Sequence, residues 1–295
     1  MLNFGTAQVI AEHDASDEID EVYHDIRQTM RVTGVNLIFR TWAGYTNALP
    51  IIWKALSPAV STRAFEQAAD QLRARTVDLA SSMARLSVPA RIALGPSQAY
   101  QIEQAVLLYH YINPKLLLLT SALRLAMDPQ APSTDDTQHN PLAERLPRGE
   151  PPGMYPMEMV SDEPHDETVA TVFKDIKDHY AQAAINSDYR TLALWPDYLA
   201  AAWQQLKPHS DEGAYRSAVV ELQTYSGILA RTLPCPVTLS RTDFDQNVES
   251  AAEVKEKTAG FERLLPPLLL NVALMGLDWR SRDVLRHSPF PIGAQ

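Results

Sequence analysis

Apolar residues recur every three or four positions along most of this chain, which is the spacing of an amphipathic α-helix. The stretch "AFEQAADQLRARTVDLASSMARL" (residues 64–86) has this period. Segments that alternate apolar and polar residues between turns, as half-buried β-strands do, are hard to find, and glycine is scarce, at 11 of 295 residues. The pattern therefore predicts an all-α fold.

The composition changes in the middle of the chain. Residues 128–166 contain 8 of the 21 prolines, together with Asp, Ser and Gln and no lysine. This composition is typical of an extended connection rather than of a helix. We therefore expect a proline-rich linker, laid over the surface, between two helical regions at residues 17–127 and 167–280.

The two helical regions resemble each other at an offset of about 150 residues. Three pairs of segments match: 17–30 with 166–184, 42–58 with 195–208, and 113–123 with 266–274. Chance repetition of Leu and Ala is the alternative explanation, but the matched residues include Trp, Tyr, Pro and Arg in order. We expect two similar helical halves, related by a pseudo-twofold axis and packed as one unit with a ligand pocket between them.

One matched pair of segments differs at two adjacent positions. "VNLIFRT" (35–41) and "INSDYRT" (185–191) are identical or conservative at five of seven positions. The exceptions are Leu37 and Ile38 in the first copy, which correspond to Ser187 and Asp188 in the second. If equivalent segments approach each other near the axis, an apolar wall faces a carboxylate there.

A second difference between the copies is a side-chain amide. Asn113 and Pro114 correspond to Pro266 and Pro267, and each pair is expected to precede a very apolar helix. An amide can hold a water as donor and acceptor, and a carboxylate can accept its proton. Asn113 and Asp188 are thus a candidate water-activating pair. Structural roles remain open for both, with Asp188 as a helix cap and Asn113 as a turn residue.

The overall charge excludes several partners. Lys and Arg number 26 against 36 Asp and Glu, giving a formal net charge of -10, and no stretch gathers the basic residues into a stripe. We therefore expect no nucleic-acid partner and no anionic membrane surface. The single Cys235 cannot form an internal disulfide. With no signal peptide and no long apolar run, the sequence favours a cytoplasmic protein.

Familiar catalytic and metal-binding motifs are missing from the sequence. The eight histidines have neither HxxxH nor HExxH spacing, and no GxGxxG, GxxxxGK or GxSxG motif occurs. We therefore expect no metal site, and the simplest nucleotide-binding and serine-hydrolase interpretations are excluded.

Several longer motifs carry a family resemblance: "FRTWAGY", "WKALSP", "INPKLLLLTSAL" and "NSDYRTLALWPDYL", with the proline-rich connection between them. Over nearly its whole length the chain resembles the group I 2-haloacid dehalogenases, all-helical enzymes that act on D-2-haloalkanoic acids or on both enantiomers. The resemblance implies that Asp188, with Asn113, activates a water that attacks C2 directly. Halide would leave with inversion of configuration, and no cofactor would be needed.

The resemblance also bears on selectivity. Members that accept both enantiomers have alanine two residues before the catalytic aspartate, whereas a D-restricted member has asparagine, and here that residue is Asn186. We expect D-2-haloacids to enter and L-2-hydroxy acids to leave, with Ser187 helping to hold the substrate carboxylate. Arg40 and Arg190, which both copies retain, are expected to be structural. Relatives are often homodimers, and we expect the same here.

Three alternatives stay open. The chain could be a non-stereoselective DL-2-haloacid dehalogenase, it could use Asp188 as a nucleophile through an ester, or it could be a non-enzymatic helical protein that binds a small ligand.

Overall fold

The fold is built from helices. The computed structural model describes residues 9–128, 143–156, 158–182 and 184–292. Within these ranges lie twelve α-helices: α1 (Asp17–Met30), α2 (Leu37–Ala43), α3 (Ala48–Val60), α4 (Arg63–Ala80), α5 (Pro96–Met127), α6 (Glu167–Tyr180), α7 (Ser187–Leu192), α8 (Pro196–Ser210), α9 (Gly213–Arg231), α10 (Arg241–Asn247), α11 (Ala251–Gly276) and α12 (Arg282–Leu285). These residues form no β-strand, and Thr62 and Arg145 pair in an isolated bridge. The predicted all-α fold is confirmed.

The two longest helices, α5 and α11, pack against each other in the centre, and α4 and α9 pack against both. Their leucine runs at 116–119 and 268–270 are buried. A helix that is apolar on every side is stable only when neighbours cover it all round, so these runs place both helices in the core. Within the described ranges, no helix is both long and apolar enough to cross a bilayer.

The two proline sites lie inside helices. We expected Asn113-Pro114 and Pro266-Pro267 to precede a helix, and this prediction is wrong: α5 runs through Pro114, and α11 runs through Pro266 and Pro267. A proline in a helix removes one backbone donor and leaves the carbonyl four residues earlier without its partner. The central helices must therefore satisfy these carbonyls in another way.

At Pro114 a buried arginine supplies the missing donors. The carbonyl of His110 accepts from Nε of Arg73 at 3.0 Å, and the carbonyl of Tyr111 accepts from Nη2 at 3.1 Å. The side chain of Arg73 is fully buried. Because Arg73 takes over the lost hydrogen bond, the helix continues through Pro114 and carries Asn113 in its interior.

The two halves contain matching local contacts at an offset of 150 residues. Nε1 of Trp53 donates to Asp25 in the first half, as Nε1 of Trp203 does to Asp175 in the second. The backbone amide of Val35 donates to the carboxylate of Glu12, as that of Ile185 does to Asp162. The backbone amide of Ile10 donates to the carbonyl of Arg40, as that of Val160 does to the carbonyl of Arg190. Such contacts are what a duplicated unit would retain. The pseudo-twofold axis itself stays a prediction.

The proline-rich segment contacts both halves. The amide of Leu146 donates to the carbonyl of Ser61 at 2.9 Å, and the amide of Val160 donates to the carbonyl of Arg190 at 3.0 Å. Residues 129–142 and 157 of the predicted linker lie outside the described residues. The boundaries expected for the linker and the two halves stay predictions.

The role of Arg73 leads to a stability prediction. In Arg73→Met the carbonyls of His110 and Tyr111 lose their hydrogen bonds from Arg73, and Pro114 offers that of His110 no backbone donor instead, so we expect the free energy of unfolding to fall by about 3 kcal/mol. Urea denaturation followed by circular dichroism measures this change. The control is Arg75→Met on the same helix, where an exposed ion pair with Glu221 is lost and the effect should stay below about 1 kcal/mol. Equal losses in the two variants would contradict the role assigned to Arg73.

Candidate active site

The short helix α7 carries the candidate carboxylate. Asp188 lies in its first turn and is only 4% exposed. The residue that caps α7 is Asn186, and the next helix starts at Pro196 after Trp195. Asp188 therefore caps neither helix, and the structural explanation considered for it is wrong.

Asn113 and Asp188 meet across the interior. Nδ2 of Asn113 donates to Oδ2 of Asp188 at 2.9 Å, and Asn113 is 3% exposed. Because Asn113 lies in the middle of α5, the turn interpretation is wrong as well. The two residues singled out from the sequence, 75 positions apart, form one buried hydrogen-bonded pair.

A cavity of about 40 Å³ adjoins this pair. All six residues proposed from the sequence line it: Leu37, Ile38, Asn113, Asn186, Ser187 and Asp188. Sequence reasoning missed the rest of its lining, namely Asn36, Tyr109, Leu116, Phe261, Leu264, Leu265 and Leu268. Most of the wall is apolar, so a bound molecule would be small and the carboxylate would be poorly hydrated.

A second cavity, of about 200 Å³, lies next to the first. Asn36, Tyr109 and Ser187 line both cavities and so form the boundary between them. The second cavity also includes the exposed residues Pro156 and Met159 in its wall, which places it on the solvent side. We call the two the inner and the outer cavity.

Tyr109 ties the central helix α5 to α7. Its hydroxyl donates to the carbonyl of Ser187 at 3.1 Å and lies 2.7 Å from Oγ1 of Thr191. Burial raises the pKa of Tyr109, and the nearby negative charge of Asp188 raises it further, so the hydroxyl keeps its proton. Nothing in "LLYHYIN" (107–113) distinguishes Tyr109 from Tyr111, which is why the sequence did not reveal it.

Asn186 is held by a neighbour rather than by the helix that it caps. Its Oδ1 accepts from Nε2 of Gln182 at 3.0 Å, and both side chains are buried. Its side chain makes no capping hydrogen bond to α7. The amide is therefore oriented by Gln182 at the wall of the inner cavity.

The burial of Asp188 changes its acidity. Loss of hydration raises its pKa to about 6, although the hydrogen bonds from Asn113 and from its own backbone N–H favour the charged form. The carboxylate is therefore ionised at neutral pH but holds a proton more strongly than an exposed aspartate does. This is the range in which a carboxylate is useful as a general base.

The described residues contain no group of three or more His, Cys, Asp or Glu side chains placed to hold a metal ion. The chemistry that the arrangement offers is proton transfer by Asp188 at an amide-lined, largely apolar cavity.

Comparisons with known proteins agree with this architecture. The family described as halocarboxylic acid dehydrogenase DehI matches residues 33–189. A configuration-inverting 2-haloacid dehalogenase of Pseudomonas sp. (strain 113) is 34% identical over 208 residues, covering 68% of this chain and 66% of that protein. An (R)-2-haloacid dehalogenase of Pseudomonas putida is 28% identical over 271 residues, covering 89% of each.

Two solved structures are also similar. A D-2-haloacid dehalogenase mutant in complex with D-2-CPA superposes with a TM-score of 0.82 at 26% identity, covering 92% of this chain and 95% of that one. A D-2-haloacid dehalogenase with L-LA gives a TM-score of 0.80 at 25% identity, covering 92% and 96%.

The raised pKa of Asp188 predicts how stability depends on pH. Asp188 takes up a proton near pH 6 in the native state and near pH 3.8 in the unfolded chain. Its ionised carboxylate therefore lowers the free energy of unfolding by the full amount above about pH 6, and this loss disappears below about pH 4. Asp188→Asn should therefore raise the free energy of unfolding at neutral pH, by up to about 3 kcal/mol, with the gain disappearing in acid. Urea denaturation at a series of pH values measures it.

The matched control is the exposed Asp197→Asn, which should change the free energy of unfolding by less than about 0.5 kcal/mol. A loss of stability in Asp188→Asn at neutral pH would contradict the prediction.

Proposed function

The chain belongs to the DehI family of 2-haloacid dehalogenases, hydrolases that act on carbon–halide bonds, and we propose that it converts D-2-haloalkanoic acids to L-2-hydroxy acids and halide. The observation that carries the proposal is the buried pair of Asn113 and Asp188 beside a cavity of about 40 Å³. The configuration-inverting and (R)-2-haloacid dehalogenases among its relatives support inversion and the choice of the D enantiomer.

In the proposed mechanism a water attacks the substrate directly. Nδ2 of Asn113 is engaged by Asp188, so Oδ1 of Asn113 and the remaining acceptor sites of the carboxylate can hold a water. The water gives a proton to Asp188 as its oxygen bonds to C2. The C2–halogen bond breaks at the same time, and its electron pair leaves with the halide. Attack from the face opposite the halogen inverts C2.

The apolar wall has a chemical role in this proposal. Leu37 and Ile38 come from the first half and Leu264, Leu265 and Leu268 from the second. Together they keep bulk water away from Asp188, which makes the ionised carboxylate a stronger base than it would be in solvent. The mixed origin of the wall supports one integrated unit with the site between two duplicated halves.

We assign the choice of enantiomer to Asn186. Its amide lines the inner cavity two residues before the general base, and the hydrogen bond from Gln182 limits its freedom to move aside. An amide held there would crowd the C2 substituent of an L-substrate. Ser187 lines both cavities, where its hydroxyl can hold the carboxylate of a D-substrate. The homodimer inferred from the family resemblance stays a prediction.

Halide release from both enantiomers of 2-chloropropionate tests the function. We expect release from the D enantiomer only, and a loss of about a hundredfold to ten-thousandfold in kcat/KM in Asp188→Asn, as is usual when a general base is removed. The control is Asp197→Asn, remote from the cavity. Equal rates with both enantiomers would favour a DL-2-haloacid dehalogenase, and no release with either would favour a binding protein.

A single turnover in oxygen-18 water separates the two enzymatic mechanisms. With enzyme in excess over substrate, direct attack places the label in the 2-hydroxy acid and none in the protein. An ester formed on Asp188 would instead place the label in the carboxylate of Asp188. Mass spectrometry of the product and of the peptide that contains residue 188 measures both outcomes.

A further inference from the structure

The outer cavity contains an arginine that forms no ion pair among the described residues. Arg40, in the last turn of α2, lines this cavity. Its Nε is buried without a hydrogen-bond partner, and throughout the described residues its guanidinium takes part in no ion pair or hydrogen bond. Because an unpaired buried charge is unfavourable, such a group in a cavity wall is suited to an anionic ligand.

Its counterpart in the second half, Arg190, has a hydrogen bond that Arg40 lacks. Nε of Arg190 donates to the carbonyl of Val160 at 2.7 Å. In the first half, Ile10 corresponds to Val160. The backbone amide of Ile10 donates to the carbonyl of Arg40, as the backbone amide of Val160 donates to the carbonyl of Arg190. The carbonyl of Ile10 is therefore the acceptor that corresponds to the carbonyl of Val160. The expectation that both arginines are structural agrees with the contacts of Arg190, and for Arg40 it stays a prediction.

A single hydroxyl group accounts for the difference. The carbonyl of Ile10 accepts from the hydroxyl of Tyr23 at 2.9 Å. The residue that corresponds to Tyr23 in the second half is Phe173, which has no hydroxyl. The carbonyl of Ile10 has a second acceptor site, but Arg40 makes no hydrogen bond to it among the described residues, so we infer that the hydroxyl of Tyr23 competes with Arg40 for this carbonyl.

The charges around Arg40 favour an anion. Glu12 also lines the cavity, but its carboxylate already accepts from Arg27 and from the amide of Val35. Burial lowers the pKa of Arg40 and the positive charge of Arg190 lowers it further, although the negative charge of Glu12 opposes these two effects. A guanidinium remains protonated in proteins, so both effects describe a cation held in an unfavourable site. A bound anion would relieve that cost.

We propose that Arg40 binds the carboxylate of the 2-haloacid at the boundary between the outer and inner cavities, beside Ser187. This rests on the proposed function. The planar guanidinium matches a carboxylate with two parallel hydrogen bonds, and Ser187 belongs to both cavities. In a 2-haloacid the carboxylate is bonded directly to C2, so an anchored carboxylate directs C2 toward Asp188. Arg40 also explains how a protein of net charge -10 holds an anion.

Kinetics of Arg40→Gln test the proposal. A contact made equally in the ground state and the transition state changes KM and leaves kcat alone. We expect KM for D-2-chloropropionate to rise about tenfold to hundredfold, with kcat within about threefold of the wild type. The control Arg190→Gln should lower the thermal midpoint and leave KM within about threefold. An unchanged KM in Arg40→Gln in an active enzyme overturns the proposal.

A second pair of variants leaves Arg40 in place. Tyr23→Phe removes the competing donor, so Arg40 can turn to the carbonyl of Ile10 as Arg190 does to Val160. We expect KM to rise several-fold although the arginine is still present. The reverse change, Phe173→Tyr, should leave KM unchanged. Equal KM values in Tyr23→Phe and the wild type would contradict the competition between Tyr23 and Arg40.

Binding without turnover separates this proposal from the proposed function. In the Asp188→Asn background we expect propionate to raise the thermal midpoint, neutral propionamide to have no effect, and the added Arg40→Gln change to abolish the propionate effect. If the wild type releases no halide but this pattern holds, the dehalogenase proposal fails and carboxylate binding by Arg40 stands. Propionate binding that persists without Arg40 overturns the assignment.

Discussion

The hydrogen bond between Asn113 and Asp188 is the contact on which the site depends. It joins the central helix α5 to the short helix α7 in a region almost without solvent. Asn113 is the only side chain among the described residues that lowers the pKa of Asp188 through a hydrogen bond, and burial outweighs it. The same lack of water that makes the ionised group unfavourable to the fold makes it a better base, so stability and reactivity oppose each other at this atom.

That opposition requires a rigid support on both sides of Asn113. Next to it, Pro114 removes a backbone donor, and Arg73 restores the connection through two carbonyls of the preceding turn. One residue further on, Nζ of Lys115 lies 2.7 Å from the carboxylate of Glu66 and also donates to the hydroxyl of Tyr111. Burial lowers the pKa of Lys115 to about 8. Removal of either Lys115 or Glu66 would leave the charge of the other buried and unpaired. The polar groups around α5 therefore fix the direction in which the amide of Asn113 points.

Sequence reasoning reached the fold class and six of the residues that line the inner cavity by different routes. Helical periodicity predicted the helices, because apolar spacing depends only on local geometry. The differences between the two copies, together with the family resemblance, pointed to Asp188 and Asn113. Local rules failed at Asn113, because a tertiary contact from Arg73 overrides the usual effect of Pro114. For Arg40 the repeat favoured a structural role, and the binding role that we propose instead depends on the hydroxyl of Tyr23, 17 positions away.

The two differences between the copies that involve Asp188 and Asn113 lie at the inner cavity, whereas a tryptophan–aspartate hydrogen bond occurs in both halves. Trp53 with Asp25 and Trp203 with Asp175 hold each half in the same way. Around the cavities, by contrast, one copy supplies the carboxylate of Asp188, and the other supplies the amide of Asn113 and, as we propose, the charge that binds the substrate, on Arg40. A cation, an amide and a carboxylate could therefore be assembled around one small cavity with little change to the packing of the fold, because no single copy had to hold all three.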